Sequence, residues 1–191
     1  MNPKIIIDAT EEPISLGEAY QHLRIDYDSD EPVDSALISL YLKAAREHCE
    51  QFLGCSIANK ILEYTIPKFQ DKIFLPFAPV NEIVSVTYET GEYDSDGLAV
   101  PYTFTDYVLI NDYIQAKTSF PDGSNVKIRY LAGYGFESDS FPLPSLIKIG
   151  ILLTLTHFYE NRQDVTEKQM YALPNGAESI LRPYRERLGM A

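Results

Sequence analysis

The segment Asp26-Tyr27-Asp28-Ser29-Asp30 puts carboxylates at alternate positions, as the first, third and fifth ligands of a calcium-binding loop do. The sixth position, which should be Gly for the sharp turn, is Glu31, and the twelfth, which should be a bidentate Glu, is Leu37. The segment therefore reads as a solvated acidic loop. Gly133-Tyr134-Gly135 follows a strand pattern, but Ser138 stands where a dinucleotide fingerprint needs its third Gly, and no helix opens there. Cys49 and Cys55 do not have paired zinc-ligand spacing. His22, His48 and His157 fall on three separate predicted helices, with no serine elbow and no recognisable Cys-His signature. These residues predict no cofactor, no metal and no catalytic group.

The chain has 191 residues, with 28 acidic side chains against 16 Lys and Arg and a net charge of −12. Such a field repels phosphate backbones, which argues against nucleic-acid binding. Two cysteines are too few for a disulfide framework. The run Ile5-Ile6-Ile7 ends at Asp8, too short for a signal peptide, and the stretch from Ile147 to Leu155 is interrupted by Lys148. A soluble intracellular protein with no membrane contact is expected. Fourteen tyrosines and no tryptophan suit sheet faces and protein interfaces, since Tyr buries area while keeping a polar tip.

The order of elements follows from capping and periodicity. Ser15 with Glu18 forms a capping-box pattern for a short helix ending near Leu23. After Pro32, Leu37, Leu40, Tyr41, Ala44, Ala45, His48 and Phe52 recur at helical spacing, which predicts a buried stripe opposite Ser39, Lys43, Arg46, Glu47 and Glu50, closed by Gly54. From about Ile57 the period becomes two, predicting strands at 60–66, 72–75, 83–89, 107–110, 113–116 and 126–131. Without intervening helices these should pair antiparallel. Helical spacing returns at Ser145 and runs to about Asn161, apolar around most of its circumference. A last helix, from about Ala177, contains Pro183, which should break it. The expected fold class is α+β: a small helical bundle built from residues 1–54 and 144–191, with an antiparallel sheet inserted over residues 57–133.

Two stretches, Ile14-Ser15-Leu16-Gly17-Glu18-Ala19-Tyr20-Gln21-His22-Leu23-Arg24 and Ala44-Ala45-Arg46-Glu47-His48-Cys49-Glu50-Gln51-Phe52-Leu53-Gly54, follow one another in a telling order. Later come Leu75-Pro76-Phe77-Ala78-Pro79, Val126-Lys127-Ile128-Arg129-Tyr130, the run from His157 to Arg162, and Leu173-Pro174 before Leu181-Arg182-Pro183-Tyr184-Arg185. In this order the sequence resembles the phage head–tail connector family, also known as portal adaptor or head-completion proteins, in its longer members with a β insertion. It departs from the family pattern at Gly17, where a better helix former is usual, and at Gln21, where Lys is common.

The resemblance implies a single connector domain spanning residues 1–191 and a non-enzymatic structural virion protein. Such a protein forms a homo-oligomeric ring, typically dodecameric, beneath the portal protein. The ring extends the DNA channel without specific DNA binding and presents a docking surface to a downstream connector or tail protein. It places the chain at the virion head–tail junction, and in the host cytoplasm during assembly. Three groups of residues are candidates for these contacts. Arg182, Tyr184, Arg185 and Arg187 form a basic tail for the portal, within a segment from Leu181 to Ala191 whose removal should leave the fold intact. Ile151, Leu155, Tyr159 and Arg162 offer a subunit interface on the apolar helix, and Asp26, Asp28, Asp30 and Glu31 an acidic lumen or rim. The alternatives are a non-viral protein-interaction adaptor and a small hydrolase with an unrecognised site.

Overall fold

The computed structural model describes residues 3–26, 34–135, 141–161 and 175–185. The chain divides into two compact units, one formed by Met1–Glu11 with Ala58–Gly135, the other by Glu12–Ile57 with Pro142–Ala191.

The first unit is all β. Strands β1 (Lys4–Ile7), β2 (Lys60–Lys68), β8 (Ser124–Ala132), β4 (Val80–Tyr93) and β5 (Ala99–Thr103) lie in that order in a five-stranded sheet, and β3 (Ile73–Phe74), β7 (Tyr113–Ala116) and β6 (Tyr107–Ile110) form a second sheet. Every pairing is antiparallel. The period of two sets the register: Leu62↔Tyr130, Tyr64↔Ile128 and Ile66↔Val126 point inward, while Ile61↔Leu131, Glu63↔Arg129 and Thr65↔Lys127 point outward. Ile73, Leu75 and Ile114 from around the smaller sheet complete one core with Leu62, Val86, Val126, Ile128 and Tyr130. The buried Tyr130 hydroxyl donates to the Pro76 carbonyl at 2.6 Å, and its burial pushes the phenol pKa above the ordinary value. Phe69 stacks on Phe120 at 4.7 Å, and Tyr88 and Phe104 each meet Phe69 edge-on.

Two strands were not visible to period reading. The run Ile5-Ile6-Ile7 pairs with β2 through Lys4↔Glu63, Ile5↔Leu62 and Ile7↔Ile61, so the N-terminal residues belong to the sheet and not to a helical bundle reaching back to residue 1. β5 contains Pro101, and a proline that cannot donate is tolerated because β5 is an edge strand.

The second unit is helical: α1 (Leu16–Leu23), α2 (Ser35–Leu53), α3 (Ser145–Glu160) and α4 (Asn175–Leu181), followed by a 3₁₀ turn at Arg182–Tyr184. The capping box forms as expected, with the Glu18 N–H donating to Ser15 Oγ and the Ser15 N–H to Glu18 Oε2. Gly54 ends α2 at φ 75°, its N–H donating to the Glu50 carbonyl. Pro183 ends the regular helix as predicted, leaving only the 3₁₀ turn.

The buried stripe of α2 is not the predicted one. Ile38, Leu42, Ala45, Cys49 and Leu53 face inward, Leu40 is 62% exposed, and Arg46 and Glu50, expected in solvent, are buried. The two stripes are neighbours on the helix surface, and the one carrying Ile38, Leu42, Cys49 and Leu53 is turned into the core where α2 packs on α3, Cys49 meeting Thr154. Arg46 and Glu50 accompany it because each is paired.

Candidate docking surfaces

The cysteines and histidines that the sequence singled out are all among the described residues. The Cys49 thiol is buried beside Thr154 Oγ1 at 3.7 Å, and burial pushes its pKa up to about 11, away from a reactive thiolate. Cys55 is also buried and forms no disulfide. His22 is exposed on α1. His48 and His157 lie on α2 and α3, each with its ring 6.2 Å from that of Phe158. Burial, and secondarily the His157 charge, lower the pKa of His48, so the neutral imidazole is favoured. The His157 ring meets Asn161 Nδ2 3.2 Å from its Nδ1, an amide and not a carboxylate that would orient a catalytic base. Among the described residues no group of three or more His, Cys, Asp or Glu is placed to hold a metal ion. No helix among the described residues is long and apolar enough to cross a membrane.

Sequence reading missed the ion-pair cluster around Arg46. Its side chain is 0% exposed; Nε and Nη2 donate to the two Glu12 oxygens at 2.7 and 3.1 Å, and Nη1 donates to Glu50 Oε2 at 2.9 Å. Glu50 Oε1 in turn accepts the Ile57 N–H at 2.8 Å. Burial alone would lower the Arg46 pKa, but the bond to Glu12 and the charges of Glu50, Glu12 and Glu47 outweigh it and raise the value. The cluster ties α2 to Glu12 and Ile57, the first and last residues of the unit's N-terminal stretch. No spacing rule announces it, since Glu12 is 34 positions from Arg46.

The proposed contact residues are distributed unevenly. On α3, Ile151 and Leu155 are 0% exposed, as is Ile147 one turn earlier. They are spent on the chain's own core and cannot face a neighbour, which corrects that part of the interface expectation. Gly150 lies on the same face because Leu181 packs there, so closely that an added Cβ would come within 2.7 Å of Leu181 Cδ2. What α3 exposes instead is Leu146, 44%, and Ile149, 41%. Tyr159 is half-buried, and Arg162 lies outside the described residues.

The tail begins later than expected. Leu181 is fully buried, so a segment starting there is not dispensable to the fold. Beyond it, Arg182 donates to Glu178 at 2.7 Å while remaining 72% exposed, Tyr184 is exposed, and the Arg185 guanidinium sits 5.1 Å from the Phe52 ring centroid. Arg187 lies outside the described residues, as do Asp28, Asp30 and Glu31; Asp26 is exposed at the end of the described stretch.

A family model described as "Head completion protein" matches residues 18–187, from α1 to beyond the 3₁₀ turn. The chain belongs to the head completion protein family. No curated protein matches the sequence. The fold is similar to chains in three solved structures, each 20% identical over 100% of this chain and 98% of the other. They are "Virion of native gene transfer agent (GTA) particle", with a TM-score of 0.75, "Neck of empty GTA particle computed with C6 symmetry", 0.74, and "Neck of native GTA particle computed with C12 symmetry", 0.71. Full coverage at this level means that the helical unit and the β unit are both shared elements of the fold.

Proposed function

We propose that the chain is a structural, non-enzymatic head–tail connector of a tailed-phage-like particle. It acts as a homo-oligomeric ring, dodecameric in the virion, at the junction of head and tail, and is present in the host cytoplasm during assembly. The family match over residues 18–187 carries this reading. The necks with similar chains were computed with C6 and C12 symmetry, which fits a twelve-membered ring.

A ring subunit must offer two different surfaces to its neighbours, because heterologous contacts close by rotation. The exposed Leu146 and Ile149 take over the role first given to Ile151 and Leu155. Arg182, Tyr184 and Arg185 provide an exposed cationic and aromatic edge for the portal protein, while the opposite side of the ring receives a downstream connector or tail protein. The net charge of −12 suits a channel that must release DNA, because each phosphate neutralised by Lys or Arg adds affinity and would retard passage.

The test is reconstitution. The chain mixed with purified portal rings should cap them as rings in electron micrographs, and should not retard duplex DNA in a gel at physiological salt. Monomers that leave portals bare would refute the connector role. A retarded band that weakens steeply with salt would refute the DNA-repelling channel.

A further inference from the structure

The β4–β5 hairpin extends past the rest of its sheet. β8 meets β4 as far as Glu89↔Ser124, yet β4 continues to Tyr93 and β5 begins at Ala99. Residues 91–98 are all exposed, and Tyr93 and Leu98 are 69% and 66% exposed. The tip is held in shape. Asp94 Oδ1 accepts the Asp96 and Leu98 N–H groups at 2.9 and 2.8 Å, the Asp94 N–H donates to the Leu98 carbonyl, and Gly97 at φ 77° and Gly91 at φ 87° take the left-handed turns. The Tyr102 hydroxyl donates to Glu92 behind it. A pre-organised tip that keeps two large apolar side chains in water gains nothing within the monomer, and suits an anchor that fills a partner's surface. It carries Glu92, Asp94 and Asp96, and no Lys or Arg occurs between residues 80 and 116. Its partner must therefore be cationic and partly apolar.

The same unit carries such a surface. On the outward face of the five-stranded sheet, Lys4, Arg129 and Lys127 stand on β1 and β8 beside Glu63, which pairs with Arg129 at 2.6 Å. Ile7 and Val84, the latter in the bulge between Ile83 and Ser85, are each 51% exposed. Glu82 stands at one end of this face, opposite Leu131. Three cations beside exposed aliphatic side chains complement an acidic tip bearing Tyr and Leu. The tip continues beyond the last β4–β8 pair, Glu89↔Ser124, off the paired face that carries Lys4, Lys127 and Arg129, so a second copy is the occupant that this complementarity favours. We infer that the hairpin tip of one subunit, Tyr93 and Leu98 with Asp94 and Asp96, docks on the Lys4, Lys127, Arg129 and Val84 face of a second copy. Resting on the ring reading above, this assigns one of the ring's heterologous contacts.

The experiment uses the full chain on portal rings. Leu98→Cys and Val84→Cys are introduced together and treated with a bis-maleimide, Cys49 and Cys55 being buried. A ladder of multimers that needs both new cysteines supports the contact. Rings seen in micrographs with no ladder would overturn this contact and leave the connector reading standing. Absence of rings for the unmodified chain would overturn that reading itself. Cross-linking of Leu98→Cys to another protein in place of a second copy would also overturn the proposal. Charge exchange gives an arm independent of the cysteines: Asp96→Lys or Lys127→Glu alone should lower ring yield about fivefold, the upper range for one exposed charge pair, and the two together should restore it. Failure of the pair to restore yield, with both single variants folded by circular dichroism, counts against the contact.

Discussion

Replacing Arg46 with Ala should be among the most damaging single changes in the helical unit. The guanidinium is 0% exposed and makes three charge-assisted bonds of 2.7, 2.9 and 3.1 Å to Glu12 and Glu50. Truncation leaves Glu50, 5% exposed, as a buried carboxylate without its cation, whereas Glu12, with 24% of its side chain exposed, can rehydrate. Removing one partner of a buried ion pair costs about 3–5 kcal/mol, and most of that belongs to the stranded charge. In a chain of this length each kcal/mol moves the midpoint by about 2–4 °C, so the helical signal at 222 nm should melt roughly 6–20 °C lower. Urea titration at 25 °C should show the same loss through the midpoint, with an unchanged slope. Adding Glu50→Gln to Arg46→Met keeps an acceptor for the Ile57 N–H and removes the stranded charge, and should recover on the order of 2 kcal/mol relative to Arg46→Ala. A loss below about 1 kcal/mol for Arg46→Ala, or no recovery in the double variant, would show that the cluster is hydrated and not structural.

Three further outcomes are expected. Gly133→Ala should destabilise the β unit by about 3 kcal/mol by urea titration followed at 218 nm, because Gly133 sits at φ 132° and the new Cβ would lie 2.4 Å from the Ala58 carbonyl oxygen, a backbone atom that cannot yield cheaply. His48 has a lowered pKa in the folded chain, so the unfolded chain binds more protons as the pH falls; the stabilising contribution is complete above the ordinary value near 6.5 and is lost as the pH drops through the folded value. His48→Gln should flatten that part of the stability–pH curve. Removing residues 182–191 should cost no more than about 2 kcal/mol, from the exposed Arg182–Glu178 pair and the Arg185–Phe52 contact, while abolishing capture on portal rings. A cut that also takes Leu181 should cost about 2–5 kcal/mol, because that side chain fills the space over Gly150.

Local rules determined much of this protein from its sequence. The Ser15–Glu18 capping box, the Gly54 stop, the break at Pro183 and the hairpin of β6 and β7 each depend on a few adjacent residues, and each formed where those residues stand. The order of motifs along the chain also pointed to its family. Tertiary structure decided which of two adjacent stripes on α2 turns inward, because the helix alone accommodates either and only packing on α3 distinguishes them. It also turned Ile151 and Leu155 to the core and left Leu146 and Ile149 exposed, since a helix apolar around most of its surface does not specify its own buried side. The short run of isoleucines at residues 5–7 became a strand only because β2, more than fifty residues later, offers an open edge. Arg46 and Glu50 carry charges that belong in water by their chemistry, and they are buried only because the fold delivers Glu12 from 34 residues away. Contacts between residues distant in sequence have no local signature, and there the sequence alone falls silent.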